Sequence, residues 1–209
     1  MLFRSWGVRA VTYRMEQQQT RKRVRTNLFA YPFIGLIGGF AGAASPTEQM
    51  KNIHPIYQVP ADDYNTTRYD MVVNLNKQHD GSYRAEYTHE LNPDFTKVAN
   101  KTNNYLQDRA LMKTSVYSGI PFGNHTQDAA VTESMGAIMD RTREHLGDSD
   151  SHIAAVRIGL LKALEAVQQG ENPPGLVFDR EDNDTKYADL YCITGAIAPD
   201  ENWKVLLGR

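Results

Sequence analysis

The residues that could carry out chemistry are few and scattered along the chain. Six histidines stand at positions 54, 79, 89, 125, 145 and 152. His125 lies three residues before Asp128, so these two side chains could share a metal ion. A structural interpretation competes with this one, because Thr126 or Asp128 could begin a helix by accepting a hydrogen bond from a free backbone amide. Spacing alone favours the helix cap.

No complete catalytic motif stands in the sequence. We find no glycine-rich phosphate loop, no Gly-x-Ser-x-Gly elbow and no His-Glu-x-x-His helix. The single cysteine, Cys192, excludes an internal disulfide and a four-cysteine metal site built from this chain alone. Because Cys192 lies in the apolar stretch from Leu190 to Ile193, we expect it to be a small core residue and not a nucleophile.

Composition narrows the class of protein. The chain has 209 residues, 41% of them hydrophobic and 23% charged, which is typical of one globular domain. Its net charge of -2 gives no basic excess for binding nucleic acid. The apolar run from Phe29 to Ala44 is shorter than the ~20 residues that span a bilayer, and it predicts a buried strand followed by a glycine-rich loop. We therefore expect a cytoplasmic protein without a membrane anchor.

The first third of the chain predicts antiparallel strands. Residues 8–13 and 23–31 are rich in β-forming residues and are separated by a polar loop. Residues 53–59 contain a proline in the middle, which suits an edge strand or an irregular one. Residues 68–76 alternate, and this pattern predicts one packed face. The residues expected on that face are Tyr69, Met71, Val73 and Leu75.

The last third predicts helices. Apolar residues recur at helical spacing in residues 128–145 and again in residues 150–169. In the second segment they form one apolar stripe, which consists of Ile153, Val156, Leu160, Leu161, Leu164 and Val167. Ser149 or Asp150 could cap this helix. Residues 179–184 suggest a solvated acidic loop. Strands followed by a long helix predict an α+β fold in which the helix covers an antiparallel sheet and leaves a pocket between them.

Several blocks of the sequence resemble one family. The strongest are residues 103–111 and 127–147, with weaker ones at Trp6-Gly7, residues 24–33 and residues 59–63. Together they resemble the C-terminal catalytic region of Rieske-type non-haem iron oxygenases of the phthalate 4,5-dioxygenase and 5,5′-dehydrodivanillate O-demethylase group. The resemblance spans nearly the whole chain. It implies a helix-grip catalytic domain, incomplete at its N-terminus, over residues 1–209.

The resemblance also implies a metal site. These enzymes hold one Fe(II) with two histidines and one carboxylate, and the carboxylate position corresponds to Asp128. The family takes its histidines from a His-x-x-x-x-His helix upstream of the region around Trp6, but no two histidines of this chain are five apart. A Rieske [2Fe-2S] cluster needs two cysteines and two histidines from one domain, so that domain is absent from this sequence.

The family's chemistry sets the expected partners. A reductase would pass electrons from NADH through the Rieske cluster to Fe(II), where O2 is used to hydroxylate or demethylate an aromatic acid or a methoxylated aromatic substrate. Such subunits often form homotrimers. The alternative is a non-catalytic remnant that binds an apolar small molecule in the pocket between sheet and helix.

Overall fold

The computed structural model describes residues 2–16, 20–37, 52–74, 90–187 and 189–207. The chain divides into two compact units, the sheet unit (residues 1–78 and 145–209) and the inserted unit (residues 79–144). The described strands are β1 (Leu2–Arg4), β2 (Gly7–Met15), β3 (Lys22–Ala30), β4 (Ile34–Ile37), β5 (Asn52–Pro60), β6 (Thr66–Asp70), β7 (Val73–Asn74) and β8 (Thr194–Ile197). The described helices are α1 (Asn124–Glu133), α2 (Ser151–Gln168) and α3 (Arg180–Lys186).

Strand β3 is the centre of the sheet. It pairs along its whole length with β2, and on its other side with β4 and β8. Its even-numbered residues from Val24 to Ala30 are buried, while Arg23 and Arg25 are exposed. This alternation follows from the two-residue period of a strand with one packed face. All described pairings are antiparallel, and with the helices they confirm the predicted α+β class.

Strand β5 is not an edge strand, contrary to one of the two roles predicted for it. It pairs with β4 on one side and with β6 and β7 on the other. Pro55 pairs with Leu36 of β4 and lies just beyond the last β5–β6 pair, Ile56 with Asp70, so β6 does not pair with the position that lacks an N–H. Its carbonyl oxygen still accepts from the Met71 amide at 3.1 Å.

The alternating segment after residue 66 forms β6 and β7, which pair with β5 in one register and are interrupted opposite Pro55. The predicted packed face is wrong for two of its members, since Tyr69 is 55% and Met71 46% exposed. At this point the opposite face of the segment, which carries Asp70, is the more buried one. The Asp70 carboxylate binds Arg68 and lies 3.5 Å from His54 Nε2. Leu75 and the glycine-rich loop after β4 lie outside the described residues.

The C-terminal segment completes the core of the sheet unit. Cys192 packs with Trp6 and Leu28 in one buried cluster, which confirms its expected role as a core residue. Ile193 and Trp203 pack with Val24 in a second cluster. Strand β8 follows directly and pairs with the first half of β3. In both clusters, residues from the first strands therefore pack against residues from the C-terminal segment.

Helix α2 confirms the predicted long helix, but the predicted apolar stripe is not its most buried face. Ala155 is 3% exposed, and an added Cβ at Gly159 would overlap the ring of Tyr31. Residues four apart lie on one helix face, so this small-residue face is the covered one. Leu161 and Leu164 of the predicted stripe are 65% and 58% exposed. Small residues let the helix backbone approach Tyr31 closely.

Two other local predictions need correction. The segment predicted as helical over residues 128–145 forms α1 only as far as Glu133, and Gly136 then takes φ +97°, which a right-handed helix cannot contain. The acidic segment at residues 179–184 is not a loop. It begins α3, because the Asp179 side chain accepts from the Asp182 amide at 2.8 Å and caps the helix.

One carboxylate joins the two ends of the sheet unit. Asp189 accepts hydrogen bonds from Arg4 Nε at 2.5 Å and from Trp6 Nε1 at 2.8 Å. Arg9, whose side chain is 2% exposed, lies 3.6 Å from the same carboxylate and donates to the Asp189 backbone carbonyl. The guanidinium of Arg9 also lies 4.8 Å from the centre of the Tyr191 ring. The buried cation is thus compensated by groups from the C-terminal segment.

We predict that Asp189→Ala lowers the free energy of unfolding by about 2–3 kcal/mol, because Arg9 would stay buried without its carboxylate. Burial acts to raise the pKa of Asp189, but hydrogen bonds from Trp6 and Arg4 outweigh it, and the pKa lies below its ordinary value. The stabilisation is therefore complete above about pH 4 and is lost as the pH falls below it. Urea unfolding at several pH values measures both effects. Asp184→Ala, at an exposed carboxylate, is the control and should have little effect.

We also predict that Gly159→Ala destabilises the sheet unit by about 1–3 kcal/mol, because the new methyl group would overlap the buried Tyr31 ring. Helix propensity alone predicts the opposite, a gain of about 1 kcal/mol. Thermal or urea unfolding gives the sign, with Gln168→Ala on the exposed side of α2 as the control. A stabilised Gly159→Ala variant would contradict the close approach of α2 to Tyr31.

Candidate functional site

Asp128 lies inside helix α1 and does not cap it. The N-cap residue is Gly123, and the helix begins at Asn124, so Asp128 is its fifth residue. The capping interpretation of Asp128 and of Thr126 is therefore wrong. Asp128 is exposed. Because Asp128 does not cap the start of the helix, its carboxylate is available for another role.

A buried carboxylate from outside the helix takes the place of the cap. Glu90 is 3% exposed, and its Oε1 accepts from the Gly123 amide at 2.9 Å. Its Oε2 accepts from the hydroxyl of Thr126, which is fully buried, at 2.6 Å. Helix N-termini leave amides without partners and favour a negative charge. Glu90 supplies a negative charge at the start of α1 and an acceptor for one of these amides, that of Gly123.

The other end of α1 is held by Tyr105. Its hydroxyl donates to Glu133 Oε2 at 2.6 Å, while its ring packs in a buried cluster with Ala99 and Ile120. Burial, together with the neighbouring Glu133 carboxylate, raises the pKa of Tyr105 to about 12. The phenol is therefore protonated at neutral pH and remains a hydrogen-bond donor.

Tyr105 lies in an unusual stretch of backbone. Asn104, Tyr105 and Leu106 have φ values of 53°, 54° and 52°. The left-handed conformation costs a residue with a side chain roughly 1–2 kcal/mol. The surrounding asparagines hold the turn: the Asn100 carbonyl accepts from the Tyr105 amide at 2.8 Å, and Asn103 Nδ2 donates to the Val98 carbonyl at 2.8 Å. These contacts keep the Tyr105 ring in the buried cluster.

These contacts leave the carboxylate of Asp128 on the opposite side of the helix. Thr126, Ala130 and Glu133 are spaced four and three apart and form one face, which we call the anchored face. Two residues along an α-helix correspond to a rotation of roughly 200°, so Asp128 lies opposite Thr126. It shares the outer face of α1 with Asn124 and Val131, which are both exposed. The inserted unit thus presents Asp128 outward.

The structure does not assemble a full metal site from the residues it describes. Among them, no three histidine, cysteine, aspartate or glutamate side chains are grouped to hold a metal ion. Asp128, the predicted carboxylate ligand, follows His125 by about one turn on the same helix. His79 and His89 lie outside the described residues.

The remaining titratable candidates have structural surroundings. His54 is buried beside Asp70 in the sheet. The Cys192 thiol lies 3.5 Å from the Leu36 carbonyl, and burial raises its pKa to about 12, so it is not a thiolate nucleophile at neutral pH.

One cavity lies between β2 and the start of α2. It has a volume of about 260 Å³. Its lining is mainly polar, and the residues that line it are Ala10, Val11, Thr12, Tyr13, Asp148, Ser149, Ser151 and His152. No helix in the described ranges has the length and apolar character to cross a membrane.

Sequence reasoning did not find the residues that hold α1. Tyr105 stood in one of the blocks that resembled the oxygenase family, but no role followed from its position. Glu90 had no local signal at all, because it lies 33 and 36 residues before its partners Gly123 and Thr126. Such a contact between distant segments becomes visible only in the fold.

Comparison with known proteins identifies the family to which this chain belongs. A family model described as LigXa C-terminal domain like matches residues 3–208. The chain belongs to this family, and its predicted resemblance to the catalytic region of Rieske oxygenases is confirmed. The chain is similar to the phthalate 4,5-dioxygenase oxygenase subunit of Pseudomonas putida, with 31% identity over 82% of this chain and 38% of that subunit. It is also similar to the 3-chlorobenzoate-3,4-dioxygenase oxygenase subunit of Comamonas testosteroni, with 43% identity over 38% of this chain and 18% of that subunit.

The matched region is only part of each relative. It covers less than two fifths of the phthalate dioxygenase subunit and less than one fifth of the chlorobenzoate dioxygenase subunit. This chain therefore corresponds to a part of such a subunit and not to its whole length.

We predict that Glu90→Ala destabilises the inserted unit by about 2–3 kcal/mol, because it leaves the Gly123 amide and the buried Thr126 hydroxyl without their acceptor. Glu90→Gln keeps one acceptor oxygen and should lose less. Hydrogen exchange of the α1 amides measures the effect, and the exposed Glu171→Ala in the sheet unit is the control. Unchanged exchange of the α1 amides in Glu90→Ala would contradict the proposed anchor.

Proposed function

We propose that this chain is part of the oxygenase component of an aromatic ring-hydroxylating or O-demethylating Rieske oxygenase, and that Asp128 is the carboxylate ligand of its mononuclear Fe(II). Membership of the family and the two dioxygenase relatives support the reaction class. The exposed position of Asp128 on the outer face of α1 is the structural observation that carries the ligand role.

In the proposed role, this chain contributes one anionic ligand oxygen, from Asp128, at a fixed position. Fe(II) held by two histidines and one carboxylate would supply the chemistry that uses O2 on an aromatic substrate. Asp128 would supply the negative charge and one bond. Both histidines would come from a region outside this sequence, because no two histidines of the chain have the family's spacing. Residues 1–209 would then be a partial catalytic domain that works with a region carrying these histidines.

The remaining components of the proposed system follow from the same reaction. A [2Fe-2S] cluster in a Rieske domain outside this sequence would pass on electrons that a reductase takes from NADH. The substrate would be an aromatic acid or a methoxylated aromatic compound. We further propose a cytoplasmic location and a homotrimer in the complete enzyme, which would act as a mono- or dioxygenase.

A non-catalytic binding module is the less well supported function. The cavity beside α2 is smaller than the 300–1,000 Å³ typical of small-molecule sites. Most of its lining side chains are polar, including Asp148 and His152, and would not favour an apolar ligand. The cavity therefore gives no specific reason to prefer this alternative.

The ligand role can be tested in a hybrid oxygenase subunit in which residues 3–208 of this chain replace the matching region of the Pseudomonas putida subunit. We expect the hybrid to bind mononuclear iron. We expect Asp128→Asn to reduce its iron affinity by at least about tenfold, the smallest loss typical of groups that only support a ligand. Iron is measured by metal analysis after equilibrium dialysis, and phthalate-dependent oxidation of NADH is followed in parallel.

Asp140→Asn is the matched control for this experiment. Asp140 belongs to the same unit, and its carboxylate accepts from the amide and the hydroxyl of Thr142. Asparagine keeps such an acceptor oxygen while removing one negative charge, as it does at position 128. Equal iron affinity in the Asp128→Asn and unmodified hybrids would reject Asp128 as the ligand.

A further inference from the structure

Helix α1 is held by hydrogen bonds from outside it and not by its own sequence. It has ten residues, no side-chain cap and no acidic residue in its first turn. Isolated helices of this length are marginal in water. Glu90 holds its start, while Gln127 Nε2 donates to the Phe122 carbonyl at 3.0 Å. The bond from Tyr105 to Glu133 holds its last residue.

The two end contacts lie on the same face of the helix. Thr126 and Glu133 are seven residues apart, which corresponds to two turns and roughly 10 Å along the axis. Two fixed points at this spacing define the direction of the helix and also its rotation about its own axis. With the contact to Tyr105 removed, the helix could turn as a rigid body about its remaining contact with Glu90.

Such a roll would matter for a metal ligand. A side-chain tip on an α-helix lies roughly 5 Å from the axis, so a roll of about 10° moves it by roughly 1 Å. Metal–ligand distances tolerate only about 0.2 Å. The rotation of α1 must therefore be fixed to within a few degrees if Asp128 is to bind iron well.

We infer that Tyr105 and Glu133 are positioning residues, which set the rotation of α1 and thereby aim the Asp128 carboxylate at the iron. This inference rests on the proposed ligand role of Asp128. The left-handed turn at residues 104–106 supports it, because strained backbone persists where the surrounding contacts enforce it. The protonated Tyr105 phenol is a suitable donor, since it faces a carboxylate and stays neutral at the pH of the cytoplasm.

The first test uses the full chain without metal. Tyr105→Phe keeps the packed ring and removes only the hydroxyl, so the buried cluster should remain intact. We expect the amides of the last turn of α1 to exchange about tenfold faster, as loss of a hydrogen bond to a charged group implies. Glu133→Ala should act alike, whereas Glu133→Gln keeps an acceptor and should restore slow exchange. Tyr117→Phe, at a tyrosine that is 94% exposed, is the matched control.

The second test measures Co(II) binding to the hybrid subunit described above. We expect Tyr105→Phe to weaken Co(II) affinity about tenfold, the low end of the effect of an outer group on a metal ligand, and to change the visible absorption of the bound Co(II). Glu133→Gln should resemble the unmodified hybrid in both readouts. The double variant Tyr105→Phe with Glu133→Ala should lose no more Co(II) affinity than either single variant, because both substitutions break the same hydrogen bond.

The outcomes separate the two hypotheses. If Asp128→Asn weakens Co(II) binding and Tyr105→Phe does not, the positioning role is wrong and the ligand role stands. If Asp128→Asn has no effect, both are wrong. Unchanged amide exchange in Tyr105→Phe overturns the positioning role without any use of the hybrid.

Discussion

The sheet unit depends on the hydrogen bonds and the ion pair that the Asp189 carboxylate forms. This carboxylate accepts from Arg4 and Trp6 and lies beside the buried cation of Arg9. Three residues of the first two strands and the turn between them therefore meet one residue of the C-terminal segment. A buried charge without a partner would be unfavourable. This requirement fixes the position of the C-terminal segment, which then supplies Cys192 and Ile193 to the core.

The inserted unit is stabilised differently. Its buried apolar cluster is small, with Ala99, Tyr105 and Ile120 as its buried members. Helix α1 is instead placed by polar contacts at both ends, and one of them uses the fully buried Thr126 hydroxyl. Hydrogen bonds depend on direction, whereas apolar contacts largely do not. Such contacts at both ends therefore fix the orientation of α1 within the inserted unit.

The sequence predicted those features that depend on local patterns. The β-forming residues in 23–31 identified β3, and helical spacing identified α2. It failed where neighbours from distant parts of the chain decide the outcome. The face of α2 that packs is the small-residue face, because Tyr31 approaches Gly159, and no period in the helix reveals that. Likewise, Tyr69 has the pattern of a packed strand residue but is exposed. Strand β8 is short and lacked a signal of its own.

The candidate site could be predicted only in part for the same reason. Asp128 was identified through a family resemblance and not through spacing, which favoured a helix cap. The structure removes the cap as an explanation, since the helix begins before Asp128 and uses Glu90. The helix-holding partners, Glu90 and Tyr105, lie far from α1 in the sequence. Their roles follow from the folding of the inserted unit.

The burial of Cys192 protects its thiol from oxidants. Oxidants attack the thiolate form of cysteine. With a pKa raised to about 12, only about one thiol in 10⁵ would be ionised at pH 7, and the surrounding core keeps solutes away from it. The sole cysteine of this chain is therefore protected both by its ionisation and by its inaccessibility. A protein that belongs to a family of oxygen-using enzymes carries its most oxidisable side chain where reactive oxygen species have the least access.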